Sequence, residues 1–139
     1  MTVRQVLVDA NVFLSFLVER NEEQRASAKA LLDSAGDGEV AAAVTQFSIF
    51  EVGYVLQTFY GMPVPTVAPL VRDMIALPGL TAIDDCPWKR VFEYWPEPVP
   101  GLADAAMVAV AVAHRYDAIA TFDQKMIKRM RSLGVESYW

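Results

Sequence analysis

Short apolar runs followed by stretches with helical spacing recur four times along this chain, and that alternation leaves few folds open. The runs are Val6-Leu7-Val8, Val40 to Val44, Leu80-Thr81-Ala82-Ile83 and Ala118 to Phe122. Val6-Leu7-Val8 has the β-branched and aliphatic character of a strand buried on both faces. Between and after the runs, helical spacing is expected over Asn11 to Arg20, Glu22 to Ser34, Ser48 to Tyr60, Thr66 to Leu77, Trp88 to Tyr94, Leu102 to Tyr116 and Gln124 to Arg131. Gly36 and Gly38, then Gly61, Pro63 and Pro65, then Pro78-Gly79 punctuate these units, and Pro96, Pro98 and Pro100 predict an extended connection. Repeated strand and helix units imply an α/β fold with a parallel sheet covered on both faces.

The chain has 139 residues, 54% of them apolar, which suits one domain spanning residues 1–139 with an adequate core. Cys86 is the only cysteine, so no internal disulfide or cysteine-based zinc site can form. The stretch Ala105 to Ala113 is only about half the roughly 18 apolar residues a membrane span needs, and Met1 to Arg4 carries no targeting pattern, so a cytoplasmic location and no membrane partner are expected. Lys and Arg number 12 against 17 Asp and Glu, which argues against coating nucleic acid by bulk attraction. From Val110 onward the balance reverses, with Arg115, Lys125, Lys128, Arg129 and Arg131 against Asp117, Asp123 and Glu136.

In open α/β sheets ligands bind beyond the carboxyl ends of the strands, where this sequence places Asp9 and Asp123. Asp104 and Glu51 are expected in the first turns of Leu102 to Tyr116 and Ser48 to Tyr60, each followed directly by apolar residues. Four carboxylates gathered at one margin of a core repel one another and need a counter-ion. Hard oxygen donors suit Mg²⁺ or Mn²⁺, and such ions suit phosphodiester hydrolysis.

With Val8-Asp9-Ala10-Asn11, Phe50-Glu51-Val52, Leu102-Ala103-Asp104-Ala105-Ala106 and Ala120-Thr121-Phe122-Asp123 in this order, the chain resembles the PIN-domain ribonucleases, in particular the VapC-type toxins of toxin–antitoxin pairs. The resemblance implies a three-layer α/β/α sandwich with a central parallel sheet of four to five strands. It also implies metal-binding catalytic acids at Asp9, Glu51, Asp104 and Asp123, with Asn11 beside the site. An endoribonuclease that dimerises and is silenced by a cognate antitoxin is the activity the family carries. Lys125, Lys128, Arg129 and Arg131 are candidate contacts for RNA phosphates or a solvated face, and Trp88, Tyr94 and Trp95 are candidate stacking surfaces or packing for a helix or dimer interface.

Simpler roles exist for each residue. Ser48 and Glu51 match a capping box, Asp123 an ordinary N-cap, Asp104 a favourable dipole partner and Asp9 an Asx-turn. His114 reads as a helix C-terminal residue, and Asp84-Asp85 as a turn. A noncatalytic PIN-like module binding RNA or a protein is the alternative reading. A phosphatase is disfavoured because its expected second carboxylate falls on Asn11.

Overall fold

The computed structural model describes residues 3–139. In chain order the elements are β1 (Arg4–Val8), α1 (Ala10–Leu17), α2 (Glu22–Gly36), β2 (Val40–Thr45), α3 (Gln46–Thr58), α4 (Val64–Ile75), β3 (Leu80–Ile83), α5 (Trp88–Tyr94), α6 (Leu102–Ala113), β4 (Ala118–Ala120) and α7 (Gln124–Ser132). The strands form one sheet in the order β3-β2-β1-β4, and every pairing is parallel. Residues 136–138 run beside β4 through a parallel bridge from Ser137 to Ile119, a short extension of that edge.

Strand periodicity explains the three layers. In β1, Val6 and Val8 are buried in the core built with α1 to α4, whereas the intervening Leu7 is buried in the core built with α6 and α7. Successive side chains point to opposite faces, so a strand with apolar residues at every position needs helices on both sides. A third cluster, around Val91, Val99 and Ala105, joins α5 to α6. Gly79, with φ +79°, turns the chain into β3 where an added Cβ would lie 1.9 Å from the Ala35 carbonyl oxygen, so only glycine fits. No helix among the described residues is long and apolar enough to cross a membrane.

Several boundaries move, each for a local reason. Helix α3 begins at Gln46 because the Thr45 hydroxyl accepts from the Ser48 N–H and caps it. Ser48 therefore lies inside the helix and no Ser48–Glu51 capping box forms. Helix α4 begins before Pro65, whose missing N–H costs nothing in a first turn. Helix α6 ends at Ala113, with Arg115 at φ 56° and the Tyr116 N–H returning to the Ala111 carbonyl. The proline segment does not extend: Val99 N–H donates to the Tyr94 carbonyl at 2.9 Å and Trp95 Nε1 to the Pro100 carbonyl at 3.0 Å, folding it into a turn with Val99 fully buried.

Helices α1 and α7 follow the adjacent strands β1 and β4 onto opposite faces of the sheet. The chain thus diverges at the carboxyl ends of β1 and β4, and a crevice opens there.

Candidate active site

Asp9 is the first residue past β1, and its backbone N–H donates to the Ala120 carbonyl at 2.9 Å, tying the ends of β1 and β4 together. Its side chain caps α1: Oδ1 accepts from the Ala10 N–H at 2.8 Å. Oδ2 accepts from the Thr121 hydroxyl at 2.9 Å and from Asn11 Nδ2 at 3.3 Å. Asn11 also donates to Thr121 Oγ1 at 2.9 Å and accepts from the Phe122 N–H at 3.0 Å, which staples the first turn of α1 to the loop before α7.

Asp123, at the end of that loop, caps α7 with Oδ1, which accepts from the N–H groups of Lys125 and Met126. The simple capping role is therefore present, and it uses one oxygen. Asp104 lies in the first turn of α6, a helix with no side-chain cap. Gly101 leaves it room, since an added Cβ there would stand 3.1 Å from Asp104 Oδ2. Glu51 falls in the second turn of α3, too far from the N-terminus for either capping or the dipole to account for it.

All four acids and Asn11 line a single cavity of about 160 Å³, with Phe47, Ser48 and Met107 among its other walls. Burial strips water from the Asp9 carboxylate and raises its pKa to about 6, with Glu51 and Asp104 adding to the rise and the Thr121 and Ala10 hydrogen bonds opposing it. Burial, then the charge of Asp104, raises Glu51. Asp104 is raised by burial and by Asp123, and Arg129 pulls it back. No Lys or Arg among the described residues forms an ion pair with any of the four. The cavity therefore carries an excess of negative charge that Arg129 offsets only in part.

Nor, among the described residues, are three or more of the acids drawn together into a metal-holding group. The donor set is all oxygen, as Mg²⁺ or Mn²⁺ prefers. The softer candidates lie elsewhere: His114 pairs with Asp85, and Cys86 lines an apolar hollow.

The basic residues separate. Arg129 is half-buried near Asp104 and also walls an open hollow with Pro96 to Pro100, whereas Lys125 and Lys128 are exposed on α7 and do not line the cavity. Of the aromatic candidates, Trp88 leans on Phe92, and Trp95 is tied to Pro100. Asp84 accepts from Gln46 Nε2 and Asp85 pairs with His114, so neither joins the acids. A wider hollow of about 620 Å³ lies at the amino ends of β1 and β4, between Arg4, Arg115 and Asp117, and holds none of the four. Thr121 is the residue that sequence reasoning passes over. Buried and bonded to Asp9, Asn11 and the Asp123 N–H, it organises the crevice. Its only signal was a hydroxyl closing a strand two residues before an acid.

Comparison with known proteins agrees with this architecture. The VapC20 toxin of Mycobacterium tuberculosis, described as cleaving the sarcin–ricin loop, superposes with a TM-score of 0.71 at 13% identity, over 89% of this chain and 94% of that one. A toxin–antitoxin complex from Klebsiella pneumoniae gives 0.59 at 20% identity, over 88% and 89%. The protein PAE2754 from Pyrobaculum aerophilum gives 0.66 at 17% identity, over 91% and 79%. A search of curated proteins found no match. The PIN domain profile matches residues 6–132, nearly the whole alternating core, and the chain belongs to the PIN domain family.

Proposed function

We propose that this protein is a Mg²⁺- or Mn²⁺-dependent endoribonuclease of the cytoplasm, the toxin of a toxin–antitoxin pair. The observation that carries the reading is the convergence of Asp9, Glu51, Asp104 and Asp123 on one cavity, where none of them forms an ion pair with Lys or Arg among the described residues and only Arg129 partly offsets Asp104. Membership of the PIN family and the toxins among the structural neighbours, one of them cleaving the sarcin–ricin loop, support RNA as the substrate.

In this mechanism Asp9 and Asp104 would hold the ion, with Glu51 and Asp123 completing the oxygen donors around it. A divalent ion bound there supplies charge neutralisation at the phosphate and a lowered pKa for water. The chain does the rest. Thr121, Asn11 and the Ala10 N–H hold Asp9 in place, so little reorganisation is needed during the reaction. Glu51 reaches the cavity from the second turn of α3 and completes its set of oxygen donors. Arg129 offsets negative charge beside Asp104, and Lys125 and Lys128 meet flanking phosphates from the exposed face of α7.

Partners follow from the surface beside the cavity. Phe50 and Tyr54 of α3 are 72% and 68% exposed, and Trp88 and Phe92 of α5 are 52% and 60% exposed. Phe50 and Trp88 line an apolar hollow of about 490 Å³ that shares Phe47 and Ala103 with the carboxylate cavity. So much exposed aromatic surface supports a homodimer and an antitoxin segment covering the groove. Sedimentation of the wild type is expected to give a dimer at micromolar concentration, and Phe50→Asp with Phe92→Asp a folded monomer; a wild-type monomer at all concentrations would remove the dimer.

The direct test is stability. Free Mn²⁺ at about a hundred times its dissociation constant should stabilise the fold by roughly 2.7 kcal/mol, raising Tm by roughly 5–10 °C. No shift across the millimolar range would favour a noncatalytic PIN-like module that binds RNA or protein.

A further inference from the structure

Residues 136–138 extend the sheet beyond β4. The Ile119 N–H donates to the Glu136 carbonyl at 3.0 Å, and the Tyr138 N–H donates to the Ile119 carbonyl at 3.0 Å. A parallel edge run advances in the same direction as its neighbour. It therefore delivers the next residue, Trp139, to the carboxyl end of the sheet, where Asp9 and Asp123 stand.

There the indole stacks on Phe122, with ring centroids 4.5 Å and planes 14° apart, while Tyr138 meets it edge-on at 5.3 Å and 88°. Phe122 directly precedes Asp123, and its N–H is held by Asn11 Oδ1. Through one ring, Trp139 is thus tied to the loop that carries Asp123. Phe122 covers one indole face, and the residue remains 40% exposed. Its open side borders a hollow of about 420 Å³ that also contains Arg131 and Glu136, the latter facing Arg4 at 3.9 Å.

We propose that Trp139 is a base-stacking platform of the substrate site, on which a nucleobase of single-stranded RNA lies while Arg131 meets an adjoining phosphate. The identity of the ligand rests on the ribonuclease reading. An aromatic ring already fixed by stacking loses little freedom when a base is added. Stacking is tolerant of sequence because every base has a π-face. Trp139 therefore supplies affinity for a part of the RNA that lies beyond Phe122, outside the carboxylate cavity, which the carboxylates, being anionic, cannot.

The test uses the full chain carrying Asp104→Asn, so that RNA is not consumed, and a fluorescein-labelled single-stranded RNA of mixed sequence. Trp139→Ala is expected to weaken binding roughly 10- to 100-fold without altering the salt dependence, and Trp139→Phe to remain within about threefold. Arg131→Gln is expected to reduce the slope of log affinity against log salt by about one. With Trp88→Phe and Trp95→Phe in place, the remaining indole emission should be quenched by the RNA. Absence of quenching, or Trp139→Ala binding like Trp139→Phe, overturns the platform even if one variant folds poorly. With Asp104 intact, Mn²⁺-dependent cleavage whose KM is unmoved by Trp139→Ala overturns the platform and leaves the nuclease standing. Quenching without any Mn²⁺-dependent cleavage leaves the platform and removes the nuclease.

Discussion

Asp104→Asn and Asp123→Asn are each expected to lower metal-dependent RNA cleavage by about 10²- to 10³-fold or more while leaving the fold intact. A loss of that size corresponds to roughly 2.7–4 kcal/mol of transition-state stabilisation, the scale seen when one preorganised electrostatic contact is removed. Stability should respond differently. Asparagine caps a helix about as well as aspartate, so the Oδ1 contacts of residue 123 to the Lys125 and Met126 N–H groups survive. At Asp104 a favourable dipole interaction of about 0.3–1 kcal/mol is lost, but repulsion from Asp123 is relieved. Cleavage of a labelled RNA in Mn²⁺, with thermal melting of the same preparations, separates the two effects. Cleavage near the wild-type rate would take these residues out of the site and return them to plain helix-start roles.

In the absence of divalent ions, raising the pH from 4 to 7.5 is expected to cost the wild type up to about 3 kcal/mol through Asp9 alone. Its pKa is about 6 in the folded chain against an ordinary value of 3.8, so between these values the folded state binds the extra proton. Stability from the neutral form is therefore fully present below pH 3.8 and is lost as pH rises through about 6, at about 1.4 kcal/mol per unit of pKa difference. Glu51 and Asp104, also raised, add in the same direction. Asp9→Asn should flatten this part of the profile and melt above the wild type at pH 7.5 in chelator, while being inactive. Saturating Mn²⁺ should reverse the order, since the ion favours ionised Asp9 in the wild type. Denaturant unfolding across pH, with and without chelator, measures both; parallel profiles for wild type and Asp9→Asn would show that Asp9 is not held against its charge.

The strands and the order of the acids were legible because their signals are local. An uninterrupted Val6-Leu7-Val8 can be satisfied only between two helical layers, and Asp9 directly behind it places a charge where an uncharged cap of α1 would serve as well. Helix ends were less legible because a single hydrogen bond sets them. Ser48 and Thr45 are equally plausible caps by type, and only the end of β2 makes Thr45 the one that accepts from the Ser48 N–H. That choice moved Glu51 out of the first turn and removed its capping explanation. The proline segment misled for a similar reason. Proline disfavours helix before it, but whether the chain then extends or turns is decided by partners such as the Pro100 carbonyl and buried Val99.

By itself, the sequence determined the alternating architecture and the burial of β1 on both faces, and nominated four acids that the structure places around one cavity, because periodicity and residue chemistry act over a few neighbouring positions. Only the tertiary structure decided that Thr121 clamps Asp9, that Arg129 rather than Lys125 or Lys128 approaches Asp104, and that Trp139 reaches Phe122. These relations join residues far apart in the chain. They depend on which strands become neighbours and in what register, which no local pattern encodes.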